Sequence, residues 1–217
     1  MRKVFITALL GGMMIPALGF CDDAITTNTT VTQPVAAFYK QAPAELTIKL
    51  TEKLAGFKKK YAVTAEATNN VRTSIESKDI KQLNPDEIQQ TGKAIIPAAA
   101  DMMVFQDEKV RKNAVVALGI SIPKYQENPK DTEEDDSLRG LLLRRSLLDK
   151  SKEVRMLAIH YMKRLAFARL ENIPEDVMTG LKEALSDPDQ ELREMADKYI
   201  KWIDEALKEL QQKVSNS

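Results

Sequence analysis

A short residue pattern occurs three times in this chain, and it constrains the fold more than any other feature of the sequence. The copies are centred on Arg111, Arg155 and Arg193, which lie 44 and 38 residues apart. In each copy an aliphatic residue stands directly before the arginine and an alanine three positions after it. These residues are Val110, Val154 and Leu192, then Ala114, Ala158 and Ala196. Since internal repeats of about 20 to 50 residues set the architecture of a chain, the pattern predicts a repeat protein.

Each copy also follows an amphipathic helical stretch, and an aspartate stands six residues before the second and third arginines, at Asp149 and Asp187. Helix–turn–helix units of about 40 to 47 residues are typical of HEAT and armadillo repeats. On these residues the segment from Thr91 to Leu210 resembles the HEAT-repeat family. The resemblance implies an all-α fold, an α–α superhelix in the form of a short HEAT-like solenoid. We expect the aspartate to cap the second helix of its unit and the arginine to reach a carboxylate in a neighbouring turn.

The first copy departs from this pattern. Phe105 stands six residues before Arg111, so we expect Asp107 to replace the missing capping aspartate. The spacing between the first and second copies is enlarged by an acidic stretch, Glu127 to Asp136. This stretch lacks the alternating order of oxygen ligands that folds around calcium, and we expect a solvated, protruding loop with no metal.

Residues 44–90 precede the clear repeats. A helix is predicted from Ala44, because apolar residues spaced three or four apart share one face. Those residues are Leu46, Leu50, Leu54, Phe57 and Tyr61. Val71-Arg72 lies 39 residues before Arg111 and would mark a degenerate fourth unit, although Asp79 occupies its apolar position. Residues 44–90 are therefore either a degenerate repeat or an N-terminal helical cap, and residues 91–217 carry three repeats. At the other end Trp202, Ile203, Leu207 and Leu210 predict a C-terminal capping helix.

The N-terminus has the pattern of a signal peptide. Arg2 and Lys3 precede an apolar run that ends at Phe20, which is short for the roughly 20 residues that span a bilayer. We expect residues 1–19 to be removed by cleavage after Gly19, with a cut after Cys21 as the alternative. Residues 20–43 are rich in threonine and proline and predict a flexible leader. These features predict a periplasmic or secreted protein with no stable membrane insertion after cleavage.

The supply of reactive side chains is small. His160 is the only histidine and Cys21 the only cysteine, so nucleophilic triads and zinc sites with several histidines are nearly excluded. We expect no catalytic residues, metal or cofactor. The chain has 32 basic and 32 acidic residues, and this balance argues against a nucleic-acid partner.

The second helix of each HEAT unit usually lines the concave side of the solenoid. Counted from the arginine, positions one, five, eight and nine are expected to point away from the core. We predict a mildly basic surface there that binds a protein partner, with His160 at its centre. Its residues are Lys112, Val116, Met156, His160, Lys163, Arg164, Lys198 and Lys201, and the same positions include one acid, Glu194.

These observations favour an exported, non-enzymatic, monomeric scaffold or adaptor that binds a protein partner. One alternative is a structural subunit of an envelope assembly, which would show a mass that grows with concentration. A second alternative is an enzyme or modifying factor on a HEAT scaffold.

Overall fold

The structure is a computed structural model that describes residues 43–122 and 129–215. Within these ranges it contains helices and no strand, so the fold class is all-α. The described α-helices are α1 (Ala44–Lys60), α2 (Ala65–Glu76), α3 (Pro85–Gln90), α4 (Ile95–Met102), α5 (Glu108–Ile120), α6 (Pro129–Ser146), α7 (Lys152–Ala168), α8 (Glu175–Ala184) and α9 (Gln190–Ser215). The predicted signal peptide and the leader up to residue 42 lie outside the described residues.

The helices from α2 onward form two layers. In the second-helix layer, α2 packs on α5, α5 on α7, and α7 on α9; in the first-helix layer, α4 packs on α6 and α6 on α8. Each first helix also packs on the second helix that follows it, giving the pairs α4/α5, α6/α7 and α8/α9. These three pairs contain the three copies of the sequence pattern.

The motif residues explain why the second helices approach one another so closely. Ala114, Ala158 and Ala196 are fully buried, and so are the aliphatic residues Val154 and Leu192. An alanine at a helix contact lets the neighbouring backbone approach, since it adds only one methyl group. The apolar stripe of each second helix is thereby placed in one continuous core.

Buried ion pairs link successive units. Arg111 on α5 donates from Nε and Nη2 to the carboxylate of Asp149, over 2.6 and 3.1 Å, and Arg155 on α7 does the same to Asp187, over 2.7 and 3.1 Å. The Nη1 of each arginine donates to two backbone carbonyls in the turn of its own unit. All four side chains are at most 7% exposed, so these fork-shaped pairs are largely removed from water.

The capping of the second helices differs from the sequence expectation. The N-cap residues lie four positions before each arginine, and they are Asp107, Ser151 and Asp189. Asp149 and Asp187 instead accept the backbone N–H of the residue two positions on, which closes the turn before the helix. Asp107 is thus the regular N-cap of its unit and does not replace an aspartate missing at position 105. What the first unit lacks is the carboxylate that would receive an arginine from the preceding unit.

Helix α1 lies across the first-helix layer and packs on α6. Leu46, Leu50 and Phe57 are buried on its inner face. At its ends, the Lys49 ammonium lies 2.9 Å from the Asp176 carboxylate on α8, and Lys60 pairs with Glu134 on α6. The predicted amphipathic helix is therefore present, and its apolar stripe covers α6.

The acidic stretch is the clearest correction to the sequence analysis, because residues 129–136 form the first turns of α6 and no protruding loop, while Glu127 and Asn128 lie outside the described residues. Asp135 and Asp136 are buried. Lys93 donates to Asp135 over 2.8 and 2.9 Å, while Asp136 pairs with Arg139 and with Arg169. Burial raises the pKa of Asp136, and the two arginines oppose that rise. Arg139 on the same helix and two distant residues, Lys93 and Arg169, thus supply the cations that allow these acids to be buried.

Candidate functional site: the α7–α9 face

The candidate site lies on the second-helix layer, where α7 and α9 run side by side. Tyrosines six positions after the motif arginine pack toward the preceding helix. On α7, the ring of Tyr161 lies against Gly119 of α5, and a Cβ at Gly119 would come within 2.0 Å of Tyr161 Cδ1. On α9, the ring of Tyr199 lies beside Lys163, which occupies the position on α7 that Gly119 occupies on α5. This substitution of lysine for glycine brings a cation to the surface between α7 and α9.

Two ammonium groups contact aromatic rings at this surface. The Nζ of Lys163 lies 4.6 Å from the ring centre of Tyr199 and 5.8 Å from that of Trp202. The Nζ of Lys198 lies 4.6 Å from the ring centre of Trp202. The rings of Tyr199 and Trp202 are themselves 5.6 Å apart. We call the surface formed by His160, Lys163, Arg164, Lys198, Tyr199 and Trp202 the α7–α9 face.

His160 lies on the same face and is exposed. Its imidazole meets the ring of Tyr161 edge-on, with 5.2 Å between ring centres. Partial burial lowers the pKa of His160, and the positive charges of Lys163 and Arg164 lower it further. The lowered pKa favours the neutral imidazole, so the positive charge of the face comes from its lysines and Arg164.

Val116 is a wrong assignment within the predicted binding surface. Its side chain is only 7% exposed and belongs to the core. It lies one turn before Gly119, on the side of α5 against which the Tyr161 ring packs. The missing side chain at Gly119 lets that ring cover the helix surface that position counting assigned to solvent.

Three other predicted residues are engaged locally. Lys112 pairs with Glu108, four residues earlier on α5, and Lys201 pairs with Asp197, four residues earlier on α9. Met156 is half-buried and packs against the core. Of the eight residues predicted, His160, Lys163, Arg164 and Lys198 are those that the structure brings together on the α7–α9 face.

Tyr199 and Trp202 are members of this face that the sequence analysis missed. Trp202, which the sequence analysis places in the C-terminal capping helix, is 41% exposed. Its position nine residues after Arg193 matches that of Arg164 after Arg155, and this register was the available signal. Phe167 is also exposed, at 42%, and stands four residues after Lys163 on the same side of α7. The face therefore combines aromatic surface with positive charge.

The cations of the face are not engaged in ion pairs within the protein. Within residues 43–122 and 129–215, Lys163, Arg164 and Lys198 form no salt bridge, whereas the inter-unit arginines Arg111 and Arg155 each hold a carboxylate. Unneutralised charge beside partly exposed aromatic rings is a surface that an anionic group can approach without displacing an internal partner.

Across the described part of the chain, no group of three or more His, Cys, Asp and Glu side chains is arranged to hold a metal ion. None of the helices described is both long enough and apolar enough to cross a membrane. Comparisons with protein-family models, with curated protein sequences and with solved structures find no match.

Proposed function

We propose that this protein is an exported HEAT-like scaffold that binds a protein partner through the α7–α9 face and performs no catalysis. The observation that carries the proposal is the group of three cations that form no salt bridge with the described residues, set beside the exposed ring of Trp202. Charged and aromatic side chains that are not used in internal ion pairs or in the core are typical of recognition surfaces, where tryptophan and arginine are enriched.

The proposed architecture is a short solenoid. It is supported by the recurrence of the motif at a HEAT-like period, by the two helix layers, and by the ion pairs that join unit to unit. In such a stack each unit contacts its neighbours, and the second helices present one continuous surface. Binding along that surface would use side chains from α7 and α9 together.

The test is a photoreactive amino acid at His160 in the cell that makes the protein, with the covalent adducts identified by mass spectrometry. His160 is exposed and lies within the face. The matched control is the same amino acid at Lys182, which is exposed on α8 in the first-helix layer. We expect a discrete adduct from position 160 and none from position 182.

Adducts from position 182 alone would move the binding surface to the other layer and contradict the proposal. An adduct of the protein with a second copy of itself would favour the structural-subunit alternative. Localisation is tested in the same cells, because an exported protein fractionates outside the cytoplasm and lacks its N-terminal residues by mass.

A further inference from the structure

We propose that the α7–α9 face recognises carboxylate groups, so that the partner contributes an acidic segment which lies across Trp202 between Lys163 and Lys198. This inference rests on the proposed function and adds the chemistry of the partner. It follows from three properties of the face. Its side chains that form no salt bridge are positively charged, its aromatic rings are already in contact with lysine ammonium groups, and these contacts hold the two lysine side chains in position.

The sign of the charge is the first property. Lys163, Arg164 and Lys198 are positive, and the neutral form of the neighbouring His160 is favoured because burial, Lys163 and Arg164 lower its pKa. The six residues of the face include no acid. Opposite charge would be attracted here, and a basic segment would be repelled.

The rings of Tyr199 and Trp202 exclude another class of ligand. Aromatic cages recognise ligand ammonium groups by offering a free ring face to the cation. Here the protein's own ammonium groups already contact both rings, with Lys163 over Tyr199 and Lys198 over Trp202, each at 4.6 Å. A ligand cation at these rings would be repelled by the two ammonium groups, while a ligand anion would be attracted by them.

The third property is the restriction of the two lysines. A free lysine side chain loses much of its rotamer entropy when it is fixed. Lys163 is half-buried, and both ammonium groups are held at ring contacts before any ligand arrives. Part of the side-chain entropy that binding would remove is therefore already lost in the free protein, and preorganisation of this kind strengthens binding.

Trp202 is the only tryptophan in the chain, so its fluorescence reports on this face alone. The test is a titration of the full protein with poly-L-glutamate at about 150 mM salt, where long-range attraction between exposed charges is screened. The variant under test is Lys163→Gln/Lys198→Gln. The control is Lys81→Ala/Lys182→Ala, which removes the same charge from two exposed lysines elsewhere.

We expect a saturable change in Trp202 emission for the natural chain and for the control, and roughly tenfold weaker binding for Lys163→Gln/Lys198→Gln, since two ion pairs of modest strength are lost. All these lysines are exposed or half-buried, and circular dichroism checks that each variant is folded. The single variant Lys198→Gln gives a second measurement at a fully exposed position.

Equal affinity of the two double variants would overturn the inference. So would a response to vesicles that contain phosphatidylglycerol with none to poly-L-glutamate, which would assign the face to a lipid surface. If the His160 crosslink captures a partner and poly-L-glutamate gives no response, the proposed function stands and the carboxylate inference fails. If poly-L-glutamate binds and His160 captures nothing in the cell, the proposed function fails instead.

Discussion

The guanidinium of Arg72 lies over the ring of Phe105, with 5.5 Å between its central carbon and the ring centre. Arg72 stands 39 residues before Arg111, and Phe105 stands six residues before it, the position at which Asp149 precedes Arg155. A cation–π contact thus occupies the place where the later units have an arginine–aspartate pair. Helix α2, which carries Arg72, also packs on α5, so residues 65–76 are joined to the next helix pair by a contact of a different kind.

The ion pairs between units should contribute strongly to stability. Replacing Arg155 by methionine would leave the Asp187 carboxylate buried without its cation, and removing one partner of such a pair costs about 3 to 5 kcal/mol. We expect a loss of this size in the free energy of unfolding, measured by urea denaturation. Two backbone carbonyls, of Asp149 and Lys150, also lose their donor.

Arg193→Met is the matched control for that change. Arg193 makes the same two carbonyl bonds, to Asp187 and Pro188, and within the described residues it forms no salt bridge. We expect its loss to cost about 1 kcal/mol, the usual net contribution of such hydrogen bonds. Equal costs for Arg155→Met and Arg193→Met would show that the pair between units adds nothing.

The contact of Arg72 with Phe105 predicts that an aspartate is tolerated at position 105. Phe105→Asp places a carboxylate where the later units have one, so Arg72 can form an ion pair with it. We expect Phe105→Asp to be more stable than Phe105→Asn, by up to about 1 kcal/mol because the site is only half-buried. The difference should vanish in an Arg72→Met background, and its persistence there would refute the pairing.

The sequence predicts the all-α fold and the burial of the repeat residues because these depend on spacing within single helices. The burial of Ala114, Ala158 and Ala196 follows from one motif that occurs three times, with the alanine at the same position in each copy. The placement of α1 on α6 does not follow from spacing, since an amphipathic stripe specifies that a face is buried and leaves its partner open. The acidic residues of α6 escape prediction for a similar reason: their cations, Lys93 and Arg169, are distant in sequence.

In the candidate site too, features set by spacing within one helix are predictable and features set by contacts between helices are not. Position counting places His160 on the surface, where the structure also has it. It fails at Val116, because the space that Gly119 leaves for the ring of Tyr161 depends on a neighbouring helix. The same counting gives Trp202, nine residues after Arg193, an outward position, and the structure has it exposed. A contact between helix pairs thus decides the case of Val116.

The packing of Tyr161 on Gly119 predicts that no larger residue fits at position 119. An alanine Cβ would lie 2.0 Å from the Tyr161 ring, which would have to move together with the helix that carries it. We expect Gly119→Ala to cost about 1 to 3 kcal/mol of stability, as overpacking does in a close-packed core. Thermal unfolding provides the measurement.

Gly56→Ala is the control for that substitution. Gly56 lies within α1, and a Cβ there meets nothing within 4 Å. Alanine is the better helix former by about 1 kcal/mol, so this variant should be slightly more stable than the natural chain. If both alanine variants were stabilising, the close contact between α5 and α7 would not exist in solution.

His160 should make the stability of the protein depend on pH. Partial burial, Lys163 and Arg164 lower its pKa in the folded state below the ordinary value of about 6.5, so the unfolded chain binds a proton first as the pH falls. Stability contributed by the neutral imidazole is therefore present above pH 6.5 or so and declines as the pH falls through that value toward the lowered pKa. His160→Gln removes this component and leaves the carboxylates unchanged, so the difference between the two chains in urea denaturation from pH 8 to pH 5 isolates it. A parallel pH dependence in both chains, or an imidazole that titrates above its ordinary value by NMR, would show that the cations of the α7–α9 face do not act on His160.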